Sequence, residues 1–240
     1  MKLIYIYHSG FVIEGSGFSV VIDYFKDTSG GYDEGIVHNR LLKKPGRLYV
    51  LASHVHPDHF NPQILEWKKE KRDIRYVLSK DIYDRRKIED EKIVWLDKGG
   101  VYEDEVLGIR AFGSTDLGIS FIIEAEGKTI FHAGDLNNWH WKEESTADEI
   151  EEAETAFLKE LEEVARYAGA VDVAMFPVDP RLGKDYMLGA RQFTDRIKTG
   201  LFVPMHFGEA YKEAGAFEVY AASKGVGFFN ITRKGEDIEF

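Results

Sequence analysis

The stretch GRLYVLASHVHPDHF, residues 46–60, constrains this chain more than any other. It begins as a short apolar run with the look of a strand. It then delivers His54, His56, Asp58 and His59 in H-x-H-x-D-H spacing. Burying three imidazoles and a carboxylate together without partners would leave several polar groups unsatisfied. A strand end, by contrast, is a rigid base from which ligands are aimed. On extended backbone, residues two apart share a face, so His54 and His56 point together. Pro57 then turns the chain, and Asp58 and His59 address a neighbouring position. Two pairs of nitrogen and oxygen ligands side by side suit two divalent ions, zinc first, with manganese and iron as alternatives.

Composition narrows the classes. A chain of 240 residues that is 44% hydrophobic can fill a substantial core. It shows no repeat and no Pro/Gly/Ser-rich break, so a single domain over 1–240 is expected. The absence of cysteine excludes disulfides and thiolate ligands, and fits a cytoplasmic location. A net charge of −11 argues against nucleic acid or an anionic membrane as partner. It leaves a small-molecule substrate, with a homo-oligomer open. No apolar stretch has membrane-spanning length. The opening MKLIYIYHSG reads as a first strand rather than a signal peptide.

The first third is strand-rich: LIYIY, FVIEG, FSVVIDY and GRLYVLAS. NPQILEWKKEKR predicts a helix capped by Asn61, with Pro62 at its first position. IRYVLS, KIVWLD and VLGIRAFG follow as strands, with a short helix at DIYDRRKIED. GISFIIEAEG and KTIFHAGD form a hairpin around Gly127-Lys128. STADEIEEAETAFLKELEEVARYAG is the clearest helix, with Ile150, Ala153, Phe157, Leu161, Val164 and Ala168 on one face and Gly169 as C′ residue. VDVAMFPV and GLFVPMHFG are continuous apolar runs, as expected of strands buried on both faces. GARQFTDRIKT and AFEVYAASKG are helical. Strands first, then strands alternating with helices, imply sheets covered by helices.

HVHPDH resembles the signature of the metallo-β-lactamase superfamily. YHSGFVIE with VVID, TIFHAGD, DVAMFPV and LFVPMHFGE extend the likeness, in particular to the branch of ascorbate-phosphate lactonase-like and related metal-dependent hydrolases. The resemblance implies an α/β (α+β) fold, a four-layer αβ/βα sandwich of two mixed β-sheets flanked by helices, with metals along one edge. It implies that His54 and His56 bind one metal, that Asp58, His59 and His206 bind the second, and that Asp135 bridges both. The superfamily usually adds a histidine to the first metal near the position of Ser114, and none is present here. His132, three residues before Asp135, is a candidate replacement ligand; Asp116 offers a carboxylate; or the first site is weak.

Other residues are weighed around this set. His8 is expected in a supporting or pocket role. Asp23, at a strand end, is placed to hold a ligating histidine. Trp139, His140 and Trp141 suggest a pocket wall. Tyr24, Phe25 and Tyr32 suggest an apolar lid. Arg181 and Lys184 offer cations to an anionic substrate group, and His38 is expected at the surface.

The chemistry expected is metal-assisted hydrolysis of a small-molecule lactone, ester, amide or phosphoester, with Asp58 or Asp135 orienting the attacking water and accepting its proton. Two rivals stand beside it. One is a phosphodiesterase or nuclease of the same superfamily, against which the acidic balance speaks. The other is a metal-binding protein with a degraded first site.

Overall fold

The computed structural model describes residues 1–29 and 34–240. In the first half, strands β1 (Lys2–Tyr7), β2 (Gly10–Glu14), β3 (Phe18–Ile22), β4 (Arg47–Ala52), β5 (Ile74–Ser79) and β6 (Ile93–Leu96) are followed by β7 (Val101–Glu103) and β8 (Leu107–Phe112). Then come β9 (Ser120–Ala125), β10 (Lys128–His132), β11 (Ala170–Pro177), β12 (Lys198–Met205), β13 (Gly227–Phe228) and β14 (Asp237–Glu239). They build two mixed seven-stranded sheets, ordered β14-β1-β2-β3-β4-β5-β6 and β13-β12-β11-β10-β9-β8-β7. Each sheet is antiparallel at one end and parallel at the other. In the first, β3, β4, β5 and β6 run parallel; in the second, β10, β11, β12 and β13 do.

Alternation of side chains across the pleat explains the layering. Leu3 and Tyr5 of β1 and Tyr49 and Leu51 of β4 join the main core with Ile109, Phe121 and Phe131 of the second sheet. Their neighbours Ile4, Ile6, Leu48 and Val50 face the other way, into a second core with Val37, Leu41, Ile64, Trp67 and Ile82. Helices cover the outer faces: α1 (Lys80–Arg86) on the first sheet, and α2 (Ala147–Tyr167), α3 (Leu188–Arg196), α4 (Tyr211–Gly215) and α5 (Glu218–Ser223) on the second. On α2, Phe157, Leu161 and Val164 are buried as the periodicity predicts, with Ala168 buried just past its end, while Ile150 and Ala153 of the same face are half-buried. Its Thr146 and Glu149 form a reciprocal capping box.

Gly169 follows the C-cap Ala168 as the C′ residue, as expected, though without a left-handed φ. Three local expectations need correction. Pro62–Lys69 is a 3-10 helix, shorter than predicted, although Asn61 caps it by accepting from Gln63 N–H. His38 is buried, its Nδ1 held 2.9 Å from Asp27 Oδ2. Tyr24 is also buried, in the second core, so it is not part of a lid, and Tyr32 lies outside the described residues.

The predicted hairpin joins β9 to β10 with Ala125 opposite Lys128. Its two turn residues, Glu126 and Gly127, have φ of 51° and 74°, the sign pattern of a type I′ turn. At the same end of the fold, Asp104 in the β7–β8 turn ties the sheets together. It accepts from Tyr49 Oη of β4 and from Tyr102 Oη, each at 2.7 Å. Among the described residues no helix is long and apolar enough to cross a membrane.

Candidate metal centre

The opposite end of the sandwich collects the chemistry. Side chains and loops at the C-terminal ends of parallel strands from both sheets meet there, the position where open sheets present ligands. Asp23 follows β3, residues 53–59 follow β4, Asp135 follows β10, Asp179 follows β11 and His206 follows β12. His8 reaches the same place from the end of β1.

Two groups of potential ligand atoms form, each with its members within 4.8 Å of one another: His54, His56, Asp116 and Asp135 in the first, and His8, Asp58, His59 and His206 in the second. In the first, His54 Nε2 lies 3.0 Å from His56 Nδ1 and 3.3 Å from Asp135 Oδ2, and His56 Nδ1 lies 3.5 Å from Asp116 Oδ2. Asp135 turns its other oxygen to the second group, with Oδ1 3.1 Å from His59 Nε2 and 3.2 Å from His206 Nε2. One carboxylate therefore addresses both groups.

Behind the histidines a layer of acceptors fixes their tautomers. His59 Nδ1–H donates to Asp23 Oδ2 at 2.6 Å, and His206 Nδ1–H to Asp179 Oδ2 at 2.9 Å. Ser53 Oγ donates to Asp23 Oδ2 at 2.6 Å and thereby accepts from His54 Nδ1–H at 3.0 Å. In the neutral form of all three rings the Nε2 lone pair faces the site, the arrangement a metal ligand needs. His59 Nε2 and Asp135 Oδ1 are buried and make no hydrogen bond. Two such atoms aimed at common space, in a set of imidazole and carboxylate donors, fit a divalent cation.

The charges are mutually dependent. Burial opposes a proton on His59, but the carboxylates of Asp135 and Asp23 outweigh it and raise the pKa well above the ordinary imidazole range. Burial likewise pushes Asp135 and Asp58 upward. The surrounding histidines more than offset it, His59 and His206 for Asp135 and His8 and His59 for Asp58, and hold both carboxyls well below the usual range.

Several backbone features are strained here. His8, Asp23 and His206 adopt φ of 59°, 46° and 63°, a region uncommon for residues other than glycine, although Asp and His enter it more readily than most. Gly134, at φ 54°, sits against Ser53: a Cβ on it would lie 2.8 Å from Ile119 O and 2.9 Å from Ser53 Cβ. The glycine before Asp135 is thus required by close packing as well as by conformation.

Predicted site residues divide as follows. His54, His56, Asp58, His59, Asp135 and His206 are brought together, with Asp116 standing where the missing histidine was sought. His132 is a correction. It is fully buried, its Nε2–H donates to Ser9 O at 2.9 Å and its Nδ1 accepts from Gly134 N–H at 3.1 Å. With both nitrogens bound to backbone, it belongs to neither group. His140 is a second correction: its Nδ1 accepts from Lys142 N–H at 3.2 Å and its Nε2 faces Asp185 O at 3.3 Å, and it lines neither of the two clefts beside the site. Sequence reasoning missed Ser53 and Asp179. Asp179 also accepts from Arg181 N–H, so in the sequence it reads as an ordinary turn aspartate before Pro180.

Two clefts flank the groups and share His206 and Arg181. One, of about 300 Å³, is lined by Tyr7, His8, Phe25 and Asp58. The other, of about 250 Å³, is lined by Thr115, Asp116, Asp135, Trp139 and Trp141. Trp139 is anchored by its Nε1–H on Asp135 O at 2.8 Å, and its ring stands 5.3 Å from that of His206. Lys184 lies in a separate depression with Lys142 and Asp185. A larger cavity of about 510 Å³ opens at the other end of the second sheet, among Glu103, Arg110 and Glu124, and gathers no ligand set among the described residues.

The sequence matches the family model described as Beta-lactamase superfamily domain over residues 2–206. No curated protein matches it. Among solved structures, a metallo hydrolase from the hyperthermophilic archaeon Ignicoccus hospitalis is similar over 100% of this chain and 98% of its own, at 21% identity and a TM-score of 0.70. CmlA, a diiron beta-hydroxylase from Streptomyces venezuelae, is similar over 100% of this chain but 54% of its own, at 16% identity and a TM-score of 0.68. This chain thus spans about half of that enzyme. The metallo-beta-lactamase fold protein YhfI from Bacillus subtilis aligns over 99% of both chains at 12% identity, with a TM-score of 0.66. At these identities the likeness is one of fold.

Proposed function

Since the chain belongs to the beta-lactamase superfamily, we propose that it is a hydrolase that uses two divalent ions to activate water against a small molecule. The observation that carries this reading is the division of Asp135, with Oδ2 turned to His54 and Oδ1 to His59 and His206. A carboxylate shared in that way suits a pair of cations better than one. His54, His56 and Asp116 would hold the first ion, Asp58, His59 and His206 the second, and Asp135 both. Zinc, manganese and iron all match this donor set.

Bound ions of this kind lower the pKa of water to about 7 and polarise a substrate oxygen. The protein's own residues do the rest. Asp58, ionised beside His8 and His59, orients the attacking water and accepts its proton. Asp23, Ser53 and Asp179 keep the histidines in the tautomer and orientation that leave Nε2 free. Trp139 and Trp141 wall one cleft and shield it from solvent, while Arg181 stands between the two clefts as a cation for an anionic group. The likeness of YHSGFVIE and TIFHAGD to the lactonase-like branch favours lactones and phosphoesters among the substrates.

The test is a screen of zinc- and manganese-loaded protein on lactones, phosphodiesters, phosphomonoesters and amides, run beside metal analysis. Two equivalents of metal per chain with turnover on one class supports the reading. One equivalent without turnover points to a degraded first site.

A further inference from the structure

His8 has the opposite ring chemistry to its neighbours. Its Nδ1 accepts from Gly208 N–H at 3.3 Å. In the neutral ring the proton therefore lies on Nε2. In His54, His59 and His206 the Nδ1 carries the proton and Nε2 the lone pair, because Ser53, Asp23 and Asp179 accept from them. A nitrogen that bears a proton cannot ligate a metal, so proximity to Asp58, His59 and His206 does not make His8 a fourth ligand.

Its Nε2 is buried and makes no hydrogen bond. Its near acceptor is Asp58 Oδ2, 3.3 Å away, a carboxylate assigned above to the second ion. The ring faces the cleft lined by Tyr7, Phe25 and Arg181. The residue is held there from both sides of its left-handed backbone: His8 N–H donates to Tyr5 Oη at 2.8 Å, and His8 O accepts from His206 N–H at 3.1 Å. A rigid N–H beside a hydrolytic centre, with the Asp58 carboxylate as its near neighbour, is placed where negative charge develops on a substrate oxygen.

Resting on the binuclear reading above, we propose that His8 donates a hydrogen bond from Nε2 to an oxyanion of the substrate, and is not a metal ligand. The class of substrate this favours is one whose reacting group becomes a tetrahedral oxyanion, at carbon or at phosphorus.

The experiment uses zinc-loaded protein with inorganic phosphate as the tetrahedral probe, read by calorimetry and by metal analysis. His8→Ala is expected to keep two zinc ions per chain and to bind phosphate about tenfold more weakly. His8→Gln, whose amide keeps a donor, should recover most of that loss. His8→Asn tolerates the left-handed backbone better and is too short to reach, so it should behave as alanine does. Nitrogen-15 correlation spectra of the unsubstituted, zinc-loaded protein should show His8 alone of these four rings in the Nε2–H form. Loss of a zinc ion in His8→Ala, or phosphate affinity unchanged in His8→Ala and His8→Asn, overturns the assignment while leaving the hydrolase reading in place. An unsubstituted chain that took up no zinc would overturn that reading and this assignment with it.

Discussion

Ser53 Oγ donates to Asp23 Oδ2 across 2.6 Å, and that bond joins the end of β4 to the end of β3 directly beneath the histidines. Asp23 also accepts from Ser53 N–H at 2.7 Å and from His59 Nδ1–H. One buried carboxylate thus sets two ligand rings at once. Asp23→Asn should weaken metal binding about 10- to 100-fold, because supporting partners of ligating histidines have effects of that size. Competition with a fluorescent chelator measures it. Unchanged affinity would mean that the rings are positioned by packing alone.

Removing the shared carboxylate has a different signature. Asp135→Ala should reduce bound metal from two ions to one or none and lower turnover at least roughly a thousandfold, since the charge that links both groups is gone. Far-ultraviolet circular dichroism should stay native. Full turnover by this variant would refute the binuclear proposal.

The two groups should not hold their ions equally. His56 and Asp116 have side chains 42% and 45% exposed, whereas those of His59 and His206 are 0% and 4% exposed. Graded dialysis against a chelator is expected to remove the ion beside His56 first, at about tenfold lower chelator concentration. Asp116→Asn should widen that gap and leave the second ion untouched. Simultaneous loss of both ions would contradict the assignment of Asp116.

Gly134→Ala should destabilise the protein by about 2 kcal/mol, lowering Tm by roughly 4–8 °C, through left-handed strain and the clash with Ser53 and Ile119. Displacement of Ser53 should also weaken metal binding, so scanning calorimetry and metal titration should move together. A loss of stability with metal affinity intact would separate this turn from the centre.

An acid limb of stability should arise far from the metals. Burial pushes the Asp104 carboxyl up, but hydrogen bonds from Tyr49 and Tyr102 and from the Val106 and Leu107 amides bring it down to about 2. Its folded value lies below its unfolded value. The stabilisation is therefore complete above about pH 4 and is lost as pH falls toward 2. After allowance for solvent screening it amounts to about 1 kcal/mol. Asp104→Asn should flatten that part of the urea-midpoint profile between pH 4 and pH 2; an unaltered slope would place the acid sensitivity elsewhere.

Much of this site could be read from residue order. A strand that ends in H-x-H-x-D-H, and later strands that end in Asp135 and His206, carry their chemistry in plain sequence. The orientation of the remaining histidines does not. His8, His132 and His140 share one side chain, and their roles are separated by which backbone groups meet the ring: Gly208 N–H for the first, Ser9 O with Gly134 N–H for the second, Lys142 N–H with Asp185 O for the third. Those partners are distant in sequence or hidden in turns. Asp179 was obscured by its second task at the start of the 3-10 turn Pro180–Asp185. Strands β7, β13 and β14 are two or three residues long, too short to show a period.

Residues 207–240 lie beyond the stretch that the family model matches, yet they furnish one edge strand of each sheet. Strand β13 borders β12, and β14 borders β1, where Tyr5 N–H donates to Glu236 O at 2.9 Å and Gly235 N–H to Tyr5 O at 2.8 Å. This tail works as a pair of edge guards. A chain cut after His206 would bare two ladders of unpaired amides and carbonyls to other molecules, and would tend to associate strand to strand.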